Sequence, residues 1–296
     1  MQKKAYFFLI IATLCWGGNA VAGKLAIGHV SPMMLTFWRW AFAVAIIFAV
    51  SVPQLRKDWP VVRKRLPILI FYGVIAYTTF NAVLYSALEY TTAINVAIEQ
   101  AGIPMLIFLI NFMLFRTRVS LAQIFGFSLT LFGVMLTVAH GDLASLLWLT
   151  LNFGDALMLI AVVAYAVYTV SLRWKPMIDW RTLMAIPALV ALVTTAPLVL
   201  WEHARDATIW PDSRGWTIIL YTALFPSLLA QIFYIKGVEG IGSNRAGLFI
   251  NLIPVFGTIL SVLVVGEHLQ AFHVAALMLA LGGIAIAEKG KPASPP

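Results

Sequence analysis

Two charged side chains, Arg39 and Glu99, stand inside long apolar stretches of the sequence. Each lies seven residues into its stretch, which is about 10 Å along a helix at 1.5 Å per residue. If both stretches cross a membrane, the two side chains reach a similar depth and could form an ion pair that fixes helix packing. Alternatively, Glu99 binds a substrate ammonium group or carries a coupling proton, since ionisable groups inside a membrane are functional candidates by default. A third alternative is a shifted helix boundary that leaves Glu99 in water.

Two prolines, Pro104 and Pro254, stand in apolar stretches 150 residues apart. Proline lacks an N–H group and frees the carbonyl group four residues earlier, here on Gln100 and Ile250. Interrupted helices at matching positions of two halves point to the binding site of a transporter, although a kink can also serve packing alone. We predict helix kinks at both prolines, and we include Gln100 and the nearby Asn251 among the candidate substrate-binding residues.

Polar and aromatic side chains recur at helical spacing in several other apolar stretches. Residues three or four positions apart share a face of a helix. The groups with this spacing are Trp16 with Asn19, Tyr77 with Asn81 and Tyr85, Tyr165 with Tyr168, and Ser227 with Gln231 and Tyr234. One interpretation is hydrogen bonding between helices, worth only about 0.6 kcal/mol per bond. The other is a cavity with aromatic walls and amide rims, suited to a zwitterion with an apolar or aromatic side chain.

The sequence lacks the patterns of catalytic and metal sites. It has no phosphate-binding loop and no nucleophile triad, and its histidines are scattered near the ends of apolar stretches. The single cysteine, Cys15, cannot form a disulfide within the chain. We therefore predict no catalytic residues, no metal site and no cofactor.

Composition indicates which class of protein must position these residues. Of 296 residues, 61% are hydrophobic and only 11% are charged, against roughly 45–50% and about 25% in soluble domains. The mean hydropathy is +0.92. A water-soluble fold cannot hide so much apolar surface, which excludes a soluble enzyme, a disordered protein and a nucleic-acid-binding module. We predict an integral membrane protein in contact with the lipid bilayer, with no nucleic-acid partner.

A membrane-spanning helix needs about 20 apolar residues, and the sequence contains ten such stretches. We place them at 5–23, 32–52, 66–88, 92–115, 121–139, 153–172, 182–201, 215–235, 246–265 and 271–287. Nine spans would result if the polar stretch 89–92 did not divide the third from the fourth. The first span also has features of a cleaved signal peptide, with Lys3 and Lys4 before it and Ala20-Val21-Ala22 near its end. Its match to a later helix favours a retained first helix.

The basic residues predict the orientation of the chain. Of the 20 lysines and arginines, 16 fall on one side, and Lys24, Arg205 and Arg214 fall on the other. Because cytoplasmic loops carry an excess of Lys and Arg, we predict that both termini are cytoplasmic. The net charge of +8 then reflects topology rather than a partner-binding patch.

The two halves of the chain resemble each other. The matching pairs, at offsets of 149 or 150 residues, are Tyr72 with Tyr221, Tyr85 with Tyr234, Pro104 with Pro254, and Gly133 with Gly283. Each half holds five helices, and an odd number forces the second half to enter the membrane inverted, as in many secondary transporters. We predict an all-α integral membrane fold of ten transmembrane helices, as two inverted five-helix repeats around a central cavity. The repeats cover 1–145 and 146–288, and 289–296 form a disordered cytoplasmic tail.

Two motifs resemble those of a known family. They are Trp-Gly-Gly-Asn-Ala-Val-Ala-Gly-Lys at 16–24, followed by Ser31-Pro32 and Arg39, and Asn-Leu-Ile-Pro-Val-Phe at 251–256, followed by Gly266-Glu267-His268-Leu269 and Leu281-Gly282-Gly283. The motifs resemble the opening and the closing of the drug/metabolite transporter superfamily, especially its EamA-type exporters, and the resemblance covers almost the whole chain. One departure is Arg116-Thr117-Arg118, where such proteins often carry a Gly-Glu-Arg-like turn.

This resemblance implies a cavity lined by helices 1, 3, 4, 6, 8 and 9, with helices 2, 5, 7 and 10 at the periphery. The chain is also similar to bacterial exporters of aromatic and other neutral amino acids. We therefore expect a secondary transporter that exports small organic solutes, above all neutral or aromatic amino acids, by alternating access across the inner membrane. An exporter of drugs, amines or other metabolites is the alternative, and a structural subunit or a membrane enzyme is the rival class. A homodimer and proton coupling are left open.

Overall fold

A computed structural model of the protein describes residues 2–116, 120–142, 152–241, 246 and 249–290. They form ten helices: α1 Gln2–Ala26, α2 Pro32–Lys64, α3 Leu66–Ala87, α4 Ala93–Phe115, α5 Leu121–Val138, α6 Phe153–Trp174, α7 Trp180–His203, α8 Ser213–Ile241, α9 Ile250–Val265 and α10 Ala271–Lys289. Helices α1 to α8 are long and apolar enough to cross a membrane, and α9 and α10 are shorter apolar helices. The described residues include no strand. The predicted all-α fold with ten helices is confirmed.

Short polar residues at helix starts explain several of these boundaries. Thr92 caps α4, because its side chain accepts a hydrogen bond from the N–H of Asn95 at 3.1 Å. This cap separates α3 from α4 within the polar stretch 89–92, so the division into ten helices rather than nine holds. Ser120 and Gln123 form a reciprocal capping box at the start of α5.

Helix α2 is longer than the sequence predicts. The predicted span ends at residue 52, whereas the helix continues through Pro53 and Pro60 to Lys64. The apolar run marks the part that can lie in lipid, but the polar part of the helix continues because Asp58 ties it to α7. The Asp58 carboxylate accepts hydrogen bonds from the hydroxyl group of Thr182 at 2.6 Å and from the N–H of Asp179 at 3.1 Å.

The helices pack mainly in pairs, α2 on α7, α5 on α10, α1 on α8 and α9, and α3 on α6. Glycines allow α5 and α10 to approach closely, since a Cβ atom at Gly126 would lie 2.3 Å from the carbonyl oxygen of Gly283. Gly282 faces open space instead. The homodimer stays a prediction.

The two repeats end their fourth helices in the same way. Arg116, after α4, and Gly266, after α9, are 150 residues apart, and both adopt a left-handed conformation, with φ of 50° and 79°. Glycine adopts this conformation without penalty, whereas another L-residue pays roughly 1–2 kcal/mol. The first half, which departs from the family motif at Arg116, therefore keeps the left-handed turn but lacks the glycine that favours it.

The predicted boundary between repeats, at 145/146, lies outside the described residues. The predicted tail at 289–296 begins too early, because α10 includes Lys289, and 291–296 also lie outside them.

Candidate functional site

A cavity of about 680 Å³ lies between the two halves of the bundle. It contains most of the side chains that the sequence predicts for a binding site: Trp16, Asn19, Arg39, Tyr77, Asn81, Gln100, Pro104, Tyr165, Tyr168, Gln231, Asn251 and Pro254. This volume is within the range of about 300–1,000 Å³ that is usual for small-molecule sites.

Aromatic rings form much of the cavity wall. On one side the ring centroids of Trp40 and Tyr77 are 4.7 Å apart, and those of Tyr165 and Tyr168 are 5.6 Å apart. Across the cavity, Trp16 is tilted against Tyr234 at 5.3 Å. Seven amide side chains also line the cavity, and Arg39 is the one charged residue among the described residues of the wall. The wall can therefore contact an apolar body and hydrogen-bond a polar head.

Two predicted binding residues, Tyr85 and Glu99, do not line the cavity. Tyr85 is 2% exposed and lies behind Arg39, where its hydroxyl group donates to Oδ1 of Asn19 at 2.8 Å. Glu99 is fully buried at the end of the first segment of α4, which turns its side chain away from the cavity while the next residue, Gln100, faces it. Helical spacing gives the shared face of a helix but not the direction in which that face points.

The predicted ion pair between Arg39 and Glu99 does not form. Arg39 instead hydrogen-bonds Ser227, Asn19, Asn81 and Tyr85. Glu99 is buried without a hydrogen-bond partner among the described residues, so the similar depth predicted from the sequence was not a sufficient reason for the two side chains to meet.

The expectation that helices 2, 5 and 10 lie at the periphery, away from the cavity, is wrong in part. These helices contribute Arg39, Trp40, Gln123, Phe127, Ile284 and Ala287 to the cavity wall. Only α7 among the four contributes no residue within the described part of the lining. Trp40, Asn111 and Gln123 were missed by the sequence analysis, although an amide inside an apolar span is a signal that could have identified the last two.

Both prolines interrupt their helices. Helix α4 breaks at Gln100 and Ala101, just before Pro104, and in α9 a 3₁₀ turn, Ile250–Leu252, follows the helical residue Phe249 just before Pro254. The freed carbonyl group of Gln100 accepts from the N–H of Ile103 at 3.0 Å, and that of Ile250 accepts from the N–H of Ile253. The two repeats thus relieve the loss of a proline N–H by the same tighter turn.

A second pair of interruptions lies in α3 and α8, where π-helical segments occur at Gly73–Thr79 and Phe225–Leu229. Such segments expose carbonyl groups and often lie at functional sites. The carbonyl group of Tyr77 accepts from the indole of Trp40 at 2.9 Å, and that of Pro226 accepts from the indole of Trp16 at 3.1 Å. Tyr77 and Pro226 are 149 residues apart, so the two repeats use equivalent carbonyl groups to orient aromatic side chains of the cavity.

The cavity reaches one end of the bundle and stops short of the other. Its lining includes Asn111, Leu172 and Ala287, which lie close to the ends of α4, α6 and α10. We call this the open end. Toward the opposite end, α1 contributes no lining residue after Asn19, and α4 none before Gln100. We call that end the closed end.

Charged side chains bind backbone groups at the closed end. Lys24 donates to the carbonyl groups of Leu88 and Thr91 at 2.8 and 2.7 Å. The Glu267 carboxylate accepts from the N–H groups of Ala93 and Ile94 at 2.7 and 2.9 Å. These four bonds hold α1 and the residues after α9 to the tip of the α3–α4 hairpin. We call them the hairpin clamps.

A third link at the closed end joins α2 to α7. The Glu202 carboxylate accepts from the hydroxyl group of Ser31 at 2.5 Å and from the N–H of Met33 at 3.2 Å. Beside it, His29 contacts Asp212 at 2.7 Å. The hydrogen bonds from His29 and from the N–H of Gly215 lower the pKa of Asp212, because both favour the charged carboxylate.

A second buried carboxyl group, Asp155 of α6, interacts with Glu99. Both side chains are fully buried, and neither oxygen of Glu99 has a hydrogen-bond partner in the described structure. Asp155 accepts from the hydroxyl group of Thr91 and from Nδ2 of Asn95. Its Oδ2 lies 2.9 Å from Nε2 of His140, which is half exposed at the closed end. The sequence analysis missed Asp155, although it is an acid in the first turn of an apolar span.

Groups of three or more His, Cys, Asp and Glu side chains that could hold a metal ion do not occur in the described ranges. The site is instead a cavity inside a bundle of membrane helices, with interrupted helices at matching places in two halves. That arrangement defines a multi-pass membrane protein with an internal site for a small molecule.

Comparison with known proteins identifies the family. The EamA-like transporter family matches residues 3–139 and again 152–288, and the chain belongs to this family. It is a membrane transporter rather than a membrane enzyme, because the family and the relatives it matches are transporters.

Several relatives match over nearly their whole length. An uncharacterized transporter of Bacillus subtilis, YyaM, is 25% identical over 94% of this chain and 92% of its own. A probable amino-acid metabolite efflux pump of Salmonella typhimurium is 23% identical over 97% of this chain and 95% of its own. One solved crystal structure is similar with a TM-score of 0.62 and 22% identity, covering 97% of both chains, which supports the fold alone.

Proposed function

We propose that this transporter exports neutral or aromatic amino acids across the bacterial inner membrane by alternating access. The observation that carries the proposal is the cavity, whose aromatic walls and amide side chains suit a zwitterion with an apolar side chain. Ring pairs such as Trp40 and Tyr77 can pack against that side chain. The name of the Salmonella relative is in agreement with this substrate class. Drugs, amines and other metabolites are the alternative substrates.

Alternating access is supported by the difference between the two ends of the bundle. The cavity reaches the open end, where Lys64, Arg116, Arg173 and Lys289 lie. From the excess of basic residues we infer that this end is cytoplasmic and that this is the state that loads substrate from the cytoplasm. Release of substrate on the other side then requires that the hairpin clamps open and that the cavity closes at the open end. In this orientation both termini are cytoplasmic.

Counterflow in proteoliposomes tests the substrate. Purified protein is reconstituted with an excess of unlabelled solute inside, and uptake of labelled amino acids, amines and sugars is compared. We expect the largest uptake for aromatic and large neutral amino acids. Good uptake of another class, with none of any amino acid, would reject the proposed substrate. Empty liposomes are the control.

We further propose that Glu99, which lies beside Asp155, carries a coupling proton. Glu99 is fully buried and its carboxyl oxygens have no hydrogen-bond partner among the described residues, so a charge there is costly and the group can take up and release a proton. The neighbouring titratable groups are His140, which contacts Asp155, and His273, whose Nε2 lies 3.1 Å from Oδ1 of Asn95. Because His140 is half exposed, it offers a proton path from the closed end. Glu99 directly precedes Gln100 of the cavity wall, so a change in its protonation can act on the cavity through the break in α4.

The substitution Glu99→Gln tests this coupling, since it keeps the shape and removes the titration. We expect uptake to lose its dependence on an imposed pH gradient while expression and detergent-solubilised yield are unchanged. Glu239→Gln, at an exposed position of α8, is the matched control and should keep the dependence. Transport by Glu99→Gln that still responds to the gradient removes Glu99 from the mechanism and favours facilitated diffusion.

A further inference from the structure

Arg39 is a buried cation whose partners are all uncharged. The side chain is 4% exposed and belongs to the cavity wall. Its Nε donates to the hydroxyl oxygen of Ser227 at 2.7 Å, and its Nη1 donates to Oδ1 of Asn19 at 3.0 Å. Nη1 also contacts Oδ1 of Asn81 at 2.6 Å and the hydroxyl oxygen of Tyr85. No carboxylate of the described residues forms an ion pair with it. Buried charges in proteins are normally paired, so this positive charge is left to be balanced.

The partners of Arg39 are fixed in the orientation that accepts its N–H groups. Nδ2 of Asn81 is held by the carbonyl group of Tyr77 at 2.9 Å, which turns Oδ1 toward Arg39. The hydroxyl group of Ser227 donates to the carbonyl group of Thr222 at 2.8 Å, which leaves its lone pairs for Arg39. The guanidinium group is therefore positioned before any ligand arrives, as a binding site requires.

One edge of the guanidinium group remains available. The four hydrogen bonds of the Arg39 side chain to described residues start from Nε and Nη1, and none starts from Nη2. A guanidinium group has five N–H donors in a planar fork, so two donors on Nη2 can bind a ligand in the cavity. Arginine donors of this kind suit carboxylate and phosphate groups.

The surrounding wall distinguishes between these two anions. Arg39 is the one charged residue of the described lining, which matches one negative charge better than the two of a phosphate. The ring centroid of Trp40 lies 5.2 Å from Cζ of Arg39. The ring of Trp40 in turn packs against that of Tyr77, with their centroids 4.7 Å apart. A ligand anchored at Arg39 thus extends over aromatic surface.

We propose that Arg39 binds the carboxylate group of the transported solute, and that the solute is a monocarboxylate with an apolar or aromatic body. This inference rests on the proposed function in one respect, that the cavity is the transport site. The inference goes beyond the proposed function, because it assigns one side chain to bind the anionic end of the ligand. It holds equally for a carboxylic acid without an amino group.

Three matched ligands test the proposal: L-phenylalanine, its amide, which lacks the carboxylate, and 3-phenylpropionate, which lacks the ammonium group. Binding to purified protein in detergent is measured by thermal stabilisation and by competition in counterflow. We expect L-phenylalanine and 3-phenylpropionate to bind, and the amide to bind at least about tenfold more weakly, since a charged hydrogen bond is lost. Equal binding of the amide overturns the proposal.

The same ligands separate this proposal from the proposed function. Binding of 3-phenylpropionate without L-phenylalanine rejects amino-acid transport and supports Arg39 as a carboxylate site. Binding of L-phenylalanine and its amide alike supports amino-acid transport and rejects the carboxylate site. Binding of none of the three rejects both.

Variants of Arg39 supply a readout that does not depend on protein yield. In Arg39→Gln, we expect the preference for acid over amide to fall to about one, because the charge is lost, whereas Arg39→Lys retains part of it. Ser227→Ala, which removes only the Nε partner, gives a milder variant should Arg39→Gln fail to fold, and we expect it to reduce the preference. Arg181→Gln, at a half-exposed arginine that does not line the cavity, is the matched control and should leave it unchanged. A preference that survives in both Arg39→Gln and Ser227→Ala overturns the proposal.

Discussion

The closed end and the cavity of this helix bundle hold their charges differently. At the closed end, Lys24 and Glu267 bind backbone groups at the tip of the α3–α4 hairpin. In the cavity, the charge of Arg39 is surrounded by fixed neutral oxygens of Asn19 and Asn81. Each clamp at the closed end can exchange its backbone partner for water when the helices separate. Arg39 instead has partners, Asn81 and Ser227, whose own hydrogen bonds to backbone carbonyl groups fix their orientation. The difference suggests that the closed end is built to move and the cavity to bind.

The largest effect is expected from removing the hairpin clamps. The double variant Lys24→Met with Glu267→Gln removes hydrogen bonds to charged groups that contribute roughly 1.5–3 kcal/mol each. Reagent access at the closed end should rise, which can be measured as maleimide labelling of the cysteine introduced by Leu88→Cys in a Cys15→Ser background. Leu88 is fully buried in the closed state, and we expect its labelling to be at least about tenfold faster.

The matched control for this experiment acts at the open end. Asp58→Asn weakens the link between α2 and α7 without touching the clamps, and it should leave the labelling rate unchanged. Equal acceleration by both variants would show that any loosening of the bundle exposes Leu88, and the proposed distinction between the ends would fail.

A smaller effect is expected from glycines that pack helices together. A Cβ atom at Gly154, at the closed end, would lie 2.6 Å from the carbonyl oxygen of Ala87 and 2.9 Å from the amide nitrogen of Thr91. Because these are backbone atoms, Gly154→Ala should lower the free energy of unfolding by about 1–3 kcal/mol. Thermal unfolding in detergent measures it. At Gly240, near the open end, a Cβ atom would meet the Cβ atom of Ala5 at 2.5 Å and its Cα atom only at 3.8 Å. Because one close contact rather than three must relax, Gly240→Ala should cost less.

Gly282→Ala is the control for both glycine variants, since a Cβ atom there meets nothing within 4 Å. It should leave the unfolding temperature unchanged or slightly raised. A loss at Gly282 as large as at Gly154 would contradict the assignment of the strain to the α3–α4 hairpin.

The smallest effect concerns two aspartates that begin helices at opposite ends. A hydrogen bond from the side chain of Arg181 lowers the pKa of Asp179 at the open end, and one from His29 lowers the pKa of Asp212 at the closed end. A carboxyl group with a lowered pKa in the folded state stabilises it above the unfolded pKa of about 3.9. That stabilisation is lost as the pH falls through the folded value.

Both aspartates are therefore expected to contribute to acid sensitivity below about pH 4. Asp179→Asn and Asp212→Asn keep an oxygen for the helix cap and remove the titration, so each should flatten the dependence of the unfolding temperature on pH in that range. Neither should change the labelling of the closed end. If Asp212→Asn alone changes the labelling rate, the contact between His29 and Asp212 also helps to keep the closed end shut, as the hairpin clamps do.

Much of the architecture follows from local sequence patterns. Apolar run length gives ten helices, and Thr92 caps α4 where the polar stretch predicts a division. The two prolines interrupt α4 and α9 because a missing N–H acts locally, whatever the surroundings. The π-helical segments were not predicted. The π-helical segment in α8 contains Pro226, but the one in α3 contains no proline. That segment begins at Gly73, which packs closely against α7: a Cβ atom added there would lie 2.8 Å from the carbonyl oxygen of Pro187.

The candidate site depended more on tertiary structure. Spacing placed Tyr77, Asn81 and Tyr85 on one face of α3, yet Tyr77 and Asn81 reach the cavity while Tyr85 lies behind Arg39. Depth suggested that Arg39 and Glu99 meet, but the break after Glu99 turns its side chain toward Asp155. Helix rotation and tilt decide such directions, and both are set by contacts between distant segments.

By itself the sequence determined that this protein is a membrane protein of two related halves, because composition, span length and proline chemistry act within one segment. Tertiary structure decided which polar groups share a site. It joined Arg39 to neutral residues from α1, α3 and α8, and Glu99 to an acid of α6. The physical reason is that a buried charge is satisfied by whatever the neighbouring helices bring within about 3 Å, and the order of residues in one helix does not specify its neighbours.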